Sequence, residues 1–241
     1  MKKIILLILL LPSTLLANNN DFGDVNDQKK TTKTNAKVYK WELGINGGMN
    51  FSKITGNYGN SYDIINRTGT LYGVTVTYNF NRFLSLKGDF DYENKGFILQ
   101  DFDYKLNAND TTFSTGDVTQ ILNYFDIPAF LHVGFGKKIK FDINFGPYIA
   151  FKINDETIDS NKENNNVIII DNDLNSGFNN FDYGITYGFG IDYFLTDRVS
   201  VGFDFLVEDG LKNILKNSNQ ELFNKSLDFD FGINFFIGKK K

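Results

Sequence analysis

The sequence predicts an all-β chain: an eight-stranded antiparallel up-and-down transmembrane barrel with short periplasmic turns and long extracellular loops. Three observations predict it. Eight segments alternate apolar and polar residues with a period of two, the mark of strands whose two faces meet different surroundings. Several of them run well past the five or six residues usual in soluble strands, and an apolar face of that length suits lipid better than a globular core. The connections also alternate long, short, long along the chain, as they do in outer-membrane barrels. An even strand count lets the last strand close against the first, leaving no unpaired edge for lipid to meet.

The clearest segment is Leu122 to Ile153. From Phe125 the odd positions read Phe125, Ile127, Ala129, Leu131, Val133 and Phe135 against Asp126, Pro128, Phe130, His132 and Gly134. After Gly136-Lys137-Lys138 the alternation resumes with Ile139, Phe141, Ile143, Phe145, Pro147, Ile149, Phe151 and Ile153. This is a long hairpin around a tight turn. A β-sandwich would need short strands with polar outer faces, and a soluble lipocalin-like barrel could not hold so many Phe and Tyr inside.

The remaining strands follow in order. Trp41, Leu43, Ile45, Gly47, Met49 and Phe51 set the outer face of the first, expected over Tyr39 to Ser52. Polar residues 53–70 read as a loop. Tyr72, Val74, Val76, Tyr78 and Phe80 set the second strand, which turns at Asn81-Arg82 into Leu84, Leu86, Gly88, Phe90 and Tyr92 of the third. Residues 94–121 read as a long polar excursion before the central hairpin, and residues 154–180, rich in Asn and Asp, as another. Within the latter, Val167-Ile168-Ile169-Ile170 suggests a short strand extension or a patch packed on a neighbouring loop. The sixth strand runs from Phe181 to Leu195, the seventh from Val199 to Val207, and the eighth from Leu227 to Ile237 after a 208–225 loop.

The ends carry targeting information. Lys2 and Lys3, an apolar run from Ile4 to Leu11 and small Ala17 read as a secretory signal peptide over 1–17. That run is too short for a spanning helix, which needs about 20 apolar residues. Residues 18–37 read as a disordered polar lead-in, 38–238 as the barrel and 239–241 as a basic tail. The chain has no cysteine, which excludes disulfides and thiol-based metal or nucleophile chemistry. A net charge of -4 gives no reason to expect nucleic acid.

Tyr124-Phe125-Asp126-Ile127-Pro128 and Asn144-Phe145-Gly146-Pro147-Tyr148, with Asp182-Tyr183-Gly184, Gly188/Gly190 and Gly210-Leu211-Lys212-Asn213-Ile214, resemble the PorT-type outer-membrane β-barrel family of Bacteroidota. The likeness covers most of residues 38–238. It implies a barrel related to the OmpA and OmpX types and no established activity, although the family's namesake takes part in protein secretion. One departure is the tail after Phe236, since many such barrels end on an aromatic residue.

The alternation sends Glu42, Asp89, Asp91, Glu93, Asp126, Asp142, Asp182, Asp192, Asp204, Asp228 and Asp230 inward with Lys87, Lys140 and Lys152. In a narrow barrel such groups form a hydrated, hydrogen-bonded plug in which Lys87 and Lys140 pair with carboxylates; a cation-favouring pore is the alternative. His132, the only histidine, is expected to bond inside the lumen rather than in a triad or zinc site. Asp171, Asp173, Asn175 and Asp182 follow a calcium-loop spacing but lack its glycine, with Ser176 in that place. Rings gather toward both strand ends: Trp41, Tyr78, Phe80, Phe83, Phe135, Tyr193 and Phe235 at one, and Phe51, Tyr72, Tyr92, Phe125, Phe151, Phe181 and Phe205 at the other. No catalytic, cofactor-binding or metal residue is assigned. The expectation is a non-enzymatic structural or surface-interaction barrel in the outer membrane of a Gram-negative bacterium, both termini periplasmic. Its expected partners are outer-membrane lipids and lipopolysaccharide, with surface or secretion-machinery proteins held through the long loops. The alternative is a narrow pore or an accessory component of secretion.

Overall fold

The computed structural model describes residues 38–57, 63–104, 114–159, 177–216 and 220–238. Eight strands account for nearly all of them: β1 (Trp41–Asn57), β2 (Asp63–Asn79), β3 (Leu84–Tyr104), β4 (Ser114–Gly136), β5 (Ile139–Asp159), β6 (Phe181–Thr196), β7 (Val199–Gly210) and β8 (Glu221–Ile237). Each pairs antiparallel with its neighbour in sequence, and the ring is closed. The closing ladder runs from Trp41↔Ile237 to Asn57↔Glu221. The regions expected as signal peptide, lead-in and basic tail lie outside the described residues, as do Val167–Ile170.

Which side chains face outward follows the alternation. Phe141, Phe189 and Phe231 are about 60% exposed, at 61%, 59% and 64%, while their neighbours Asp142, Gly190 and Asp230 are buried. The exposed set, including Ile45, Val74, Leu86, Leu131, Ile143 and Ile233, rings the barrel with no second layer over it among the described residues. At about 25 cal/mol per Å2, so much apolar surface would be costly in water. Lipid is the surrounding that removes this cost.

The strands are longer than their apolar faces. Residues 53–70 and 94–121, expected as loops, are mostly strand: β1 continues to Asn57, β2 starts at Asp63, β3 reaches Tyr104 and β4 begins at Ser114. Residues 154–159 and 208–210, and 221–225 before Leu227, likewise belong to β5, β7 and β8. The physical reason is an inversion of polarity along each strand. On β1 the outward face passes from Met49 and Phe51 to Lys53, Thr55 and Asn57, while the inward face passes from Asn50 and Ser52 to buried Ile54. On β3 the inward face passes from Asp91, Glu93 and Lys95 to Phe97 and Leu99, both buried. The backbone ladder continues across this boundary because its hydrogen bonds do not depend on side-chain polarity.

The apolar core therefore sits inside the end of the barrel away from the tight turns. Ile54, Phe97, Leu99, Val118, Leu122, Tyr124, Tyr148, Ala150, Phe178, Ile214, Leu215 and Leu222 form it. Phe178 and Leu215 come from the connecting segments and are joined by a bridge, so parts of two loops fold down as a plug. Register shifts at Asn66/Leu71, Leu99/Phe102 and Asn123/Tyr124 lie in the same distal region, where bulges bend strands.

Candidate functional site in the barrel lumen

Three layers fill the lumen. Nearest the turns lies a cavity of about 630 Å3 bordered by Arg82, Lys137, Lys138 and Lys140, with Tyr39, Phe194 and Phe236 among its apolar walls. Above it, Asp89, Asp91, Glu93, Asp126, Asp204, Glu208, Asp228 and Asp230 share the mid-lumen with Lys87 and Lys95. The apolar plug closes the distal end. Inward glycines make room for the middle layer: a Cβ on Gly190 would lie 2.2 Å from Asp204 Oδ1 and 2.6 Å from Asp142 Oδ1, and one on Gly184 would lie 2.5 Å from the Tyr148 ring.

Lys95 is the hub of this layer. Its ammonium donates to Asp126 Oδ2 at 2.7 Å and to Glu208 Oε2, and lies 2.8 Å from Glu93 Oε2. Tyr148 and Tyr124 present their rings to it, with centroids 5.0 and 5.9 Å from Nζ. The outer carboxylate oxygens are met by neutral groups, Asn50 Nδ2 on Glu93 Oε1 at 2.8 Å and Thr186 Oγ1 on Glu208 Oε1 at 3.1 Å. Toward the turns, Lys87 donates to Asp204 Oδ2 at 2.6 Å and lies 3.9 Å from Asp89. Between the two lysines, Asn46 Nδ2 donates to both Asp91 Oδ1 and Asp230 Oδ2 at 2.8 and 3.1 Å.

Every carboxylate sent inward by the alternation is buried or partly buried in the lumen. One pairing differs from expectation. Lys140 meets His132 Nε2 at 2.9 Å rather than a carboxylate, because its stem lies along the neighbouring strand over Gly134, where a Cβ would lie 1.9 Å from Lys140 Cε. Lys152 sits at the distal rim, paired with Asp155 and over the Phe178 ring. Lys95 and Glu208 were missed because both fell in segments read as loops. The available clue was that odd positions 87, 89, 91, 93 and 95, and even positions 200 to 208, keep one phase.

His132 bonds inside the lumen. Nδ1 lies 2.8 Å from Asn144 Oδ1, and because Asn144 Nδ2 donates to Asp142 and Asp204, its oxygen is the acceptor and His132 the donor. The fold also brings a serine opposite: Ser85 pairs with His132 across the β3–β4 ladder. Its hydroxyl donates to Asn79 Oδ1 at 2.5 Å, and both imidazole nitrogens are engaged, so this arrangement does not assemble a nucleophile and base. Of the calcium-like spacing, Asp182 alone lies among the described residues. It faces the lumen and accepts from Tyr148 at 3.2 Å and Asn224 at 2.8 Å.

The rings expected at strand ends pair on the outer surface, Trp41 with Tyr78 at 4.9 Å and Tyr72 with Tyr92 at 5.3 Å. Phe205 stacks on Phe189 and meets Phe229 edge to face, each at 5.1 Å.

The family described as outer membrane protein beta-barrel domain matches residues 24–216. Among curated proteins none matches this chain. Similar solved structures include Neisserial surface protein A (12% identity, 82% of this chain and 97% of that one, TM-score 0.41). Others are outer membrane protein W of E. coli (12%, 83% and 99%, 0.41) and Ail, the attachment invasion locus protein of Yersinia pestis (10%, 81% and 99%, 0.40). With the family match spanning most of the chain and eight strands closed into a lipid-compatible ring, this protein belongs to the outer-membrane β-barrel domain family and resides in the outer membrane.

Proposed function

We propose that the protein is a sealed, non-enzymatic barrel whose distal hairpins form a rigid surface-interaction platform outside the cell, with both termini periplasmic. The observation that carries this reading is the filled middle and distal lumen. Phe97, Tyr124, Phe130 and Tyr148 are at most 1% exposed, and the mid-lumen carboxylates enclose only about 20 Å3. A chain that merely had to span lipid would need no apolar core beyond the lipid-facing band. Here that core gives the outer hairpins an interior of their own, which suits a platform that must keep its shape. Lipopolysaccharide and surface proteins are the partners this placement favours. The orientation follows the rule that outer-membrane barrels keep short turns periplasmic. Lys40, Arg82, Lys137, Lys138 and Arg198 at that end suit anionic phospholipid headgroups.

The test is a pair of measurements on the refolded protein. Planar-bilayer recordings should show no conductance, and deleting residues 160–176 should abolish capture of a surface partner while the barrel still folds. Steady single-channel currents from pure protein would refute the sealed lumen and favour the pore alternative. The secretion role of the PorT-type family rests on sequence likeness alone; the family match is to the broader barrel domain and adds no support for it.

A further inference from the structure

We infer that the mid-lumen holds one calcium-sized cation between Asp126, Asp228, Glu93 and Glu208. Three features of the lumen carry this. First, carboxylate oxygens of Glu93, Glu208 and Asp228 lie within 4.8 Å of one another, close to the spacing of oxygens around one calcium ion, which binds them at about 2.3–2.6 Å. Second, acceptors are in surplus there. The three protons of Lys95 serve Glu93, Asp126 and Glu208, after which Asp126 Oδ1 and Asp228 Oδ1 accept no hydrogen bond from the described residues. Both side chains are more than nine-tenths buried, at 1% and 4% exposure. Orphaned, buried carboxylate oxygens are costly and call for a positive partner. Third, all four residues border the enclosed cavity of about 20 Å3, room for roughly one water-sized particle. Magnesium, which keeps several of its waters, does not fit such a space.

The second cluster, His132 with Asp142 and Asp192, is a poorer candidate because Lys140 and Asn144 already occupy both imidazole nitrogens. The apolar plug blocks approach from outside, and Lys137, Lys138 and Lys140 flank approach from the turns. The ion is therefore captured as the barrel closes and exchanges slowly afterwards.

The experiment refolds full-length chain into lipid vesicles with calcium, gel-filters it into calcium-free buffer and measures bound metal by mass spectrometry. About one calcium per chain should remain. Asp126→Asn/Asp228→Asn should cut it roughly tenfold or more in chains whose heat-shifted gel mobility shows folding, while Asp171→Asn/Asp173→Asn should leave it unchanged. If the lumen double variant does not fold, Asp228→Asn alone serves, and terbium refolded into the natural chain gives a second readout: Tyr148 and Tyr124 beside Lys95 should sensitise its emission. No calcium retained by the folded natural chain, no tyrosine-sensitised terbium emission, retention undiminished in the folded lumen variant, or loss caused by the loop variant would each overturn the assignment.

Discussion

Lys95 decides the balance of the mid-lumen at the residue scale. Removing one partner of a buried ionic cluster leaves the others uncompensated and typically costs about 3–5 kcal/mol. Lys95→Met is therefore expected to lower unfolding stability by that order. Urea unfolding in vesicles, followed by fluorescence of the single Trp41, measures it. Adding Asp126→Asn and Glu208→Gln to Lys95→Met should restore part of the loss, because fewer charges then go unmatched; equal losses with and without them would refute Lys95 as the hub. The outer face has its own residue-scale test. Ile143→Arg places a cation among lipid-facing side chains, a substitution that costs about 2–4 kcal/mol at the bilayer midplane. Thr55→Arg, on the outward face of β1 past the apolar band, should cost nearly nothing by the same unfolding measurement.

Each strand, taken as an element, has two polarities. Strand existence, order and facing were legible in the sequence wherever the outer face is apolar, as in Phe125 to Phe135 or Phe181 to Leu195. Strand length was not, because the outward signal ends at Phe51, Tyr92 and Ile153 while the ladder goes on. In the distal segments the signal survives in inverted form, as inward Ile54, Phe97, Leu99, Val118 and Leu122. The candidate site divided along the same line. Carboxylates within the lipid-facing band are legible from their phase, whereas Lys95 and Glu208 stand beyond the apolar outer face of their strands. The opposition of Ser85 to His132 depends on cross-strand register, which periodicity alone does not supply. The distal core gives a test at this scale. Leu122→Ala and Phe97→Ala each remove a fully buried side chain and should cost about 2–5 kcal/mol. The damage should fall on the hairpins beyond the lipid, so protease added on the side that bears them should cut the β3–β4 hairpin faster while the spanning barrel still resists heat-free detergent unfolding. Unchanged cleavage would mean that the plug does not hold the hairpins.

For the whole molecule, two environments account for one continuous ladder. Within lipid the barrel is polar inside and apolar outside; beyond lipid it has the apolar interior and polar surface of a soluble protein. Closure between β1 and β8 serves both parts, since it satisfies edge groups that lipid cannot and encloses a volume that the distal plug fills. The sealed, surface-presenting barrel proposed above rests on that distal filling. Because the chain lacks cysteine, single introduced thiols report their surroundings cleanly. The most direct measurement labels Ile143→Cys, Phe189→Cys, Thr55→Cys and Asn144→Cys with a nitroxide in vesicles and compares collision with oxygen, which concentrates in lipid, against collision with a water-soluble nickel chelate. Positions 143 and 189 are predicted to meet oxygen and not nickel, position 55 to meet nickel, and position 144 to meet neither. Nickel reaching 143 and 189 as readily as 55 would contradict the lipid-facing band.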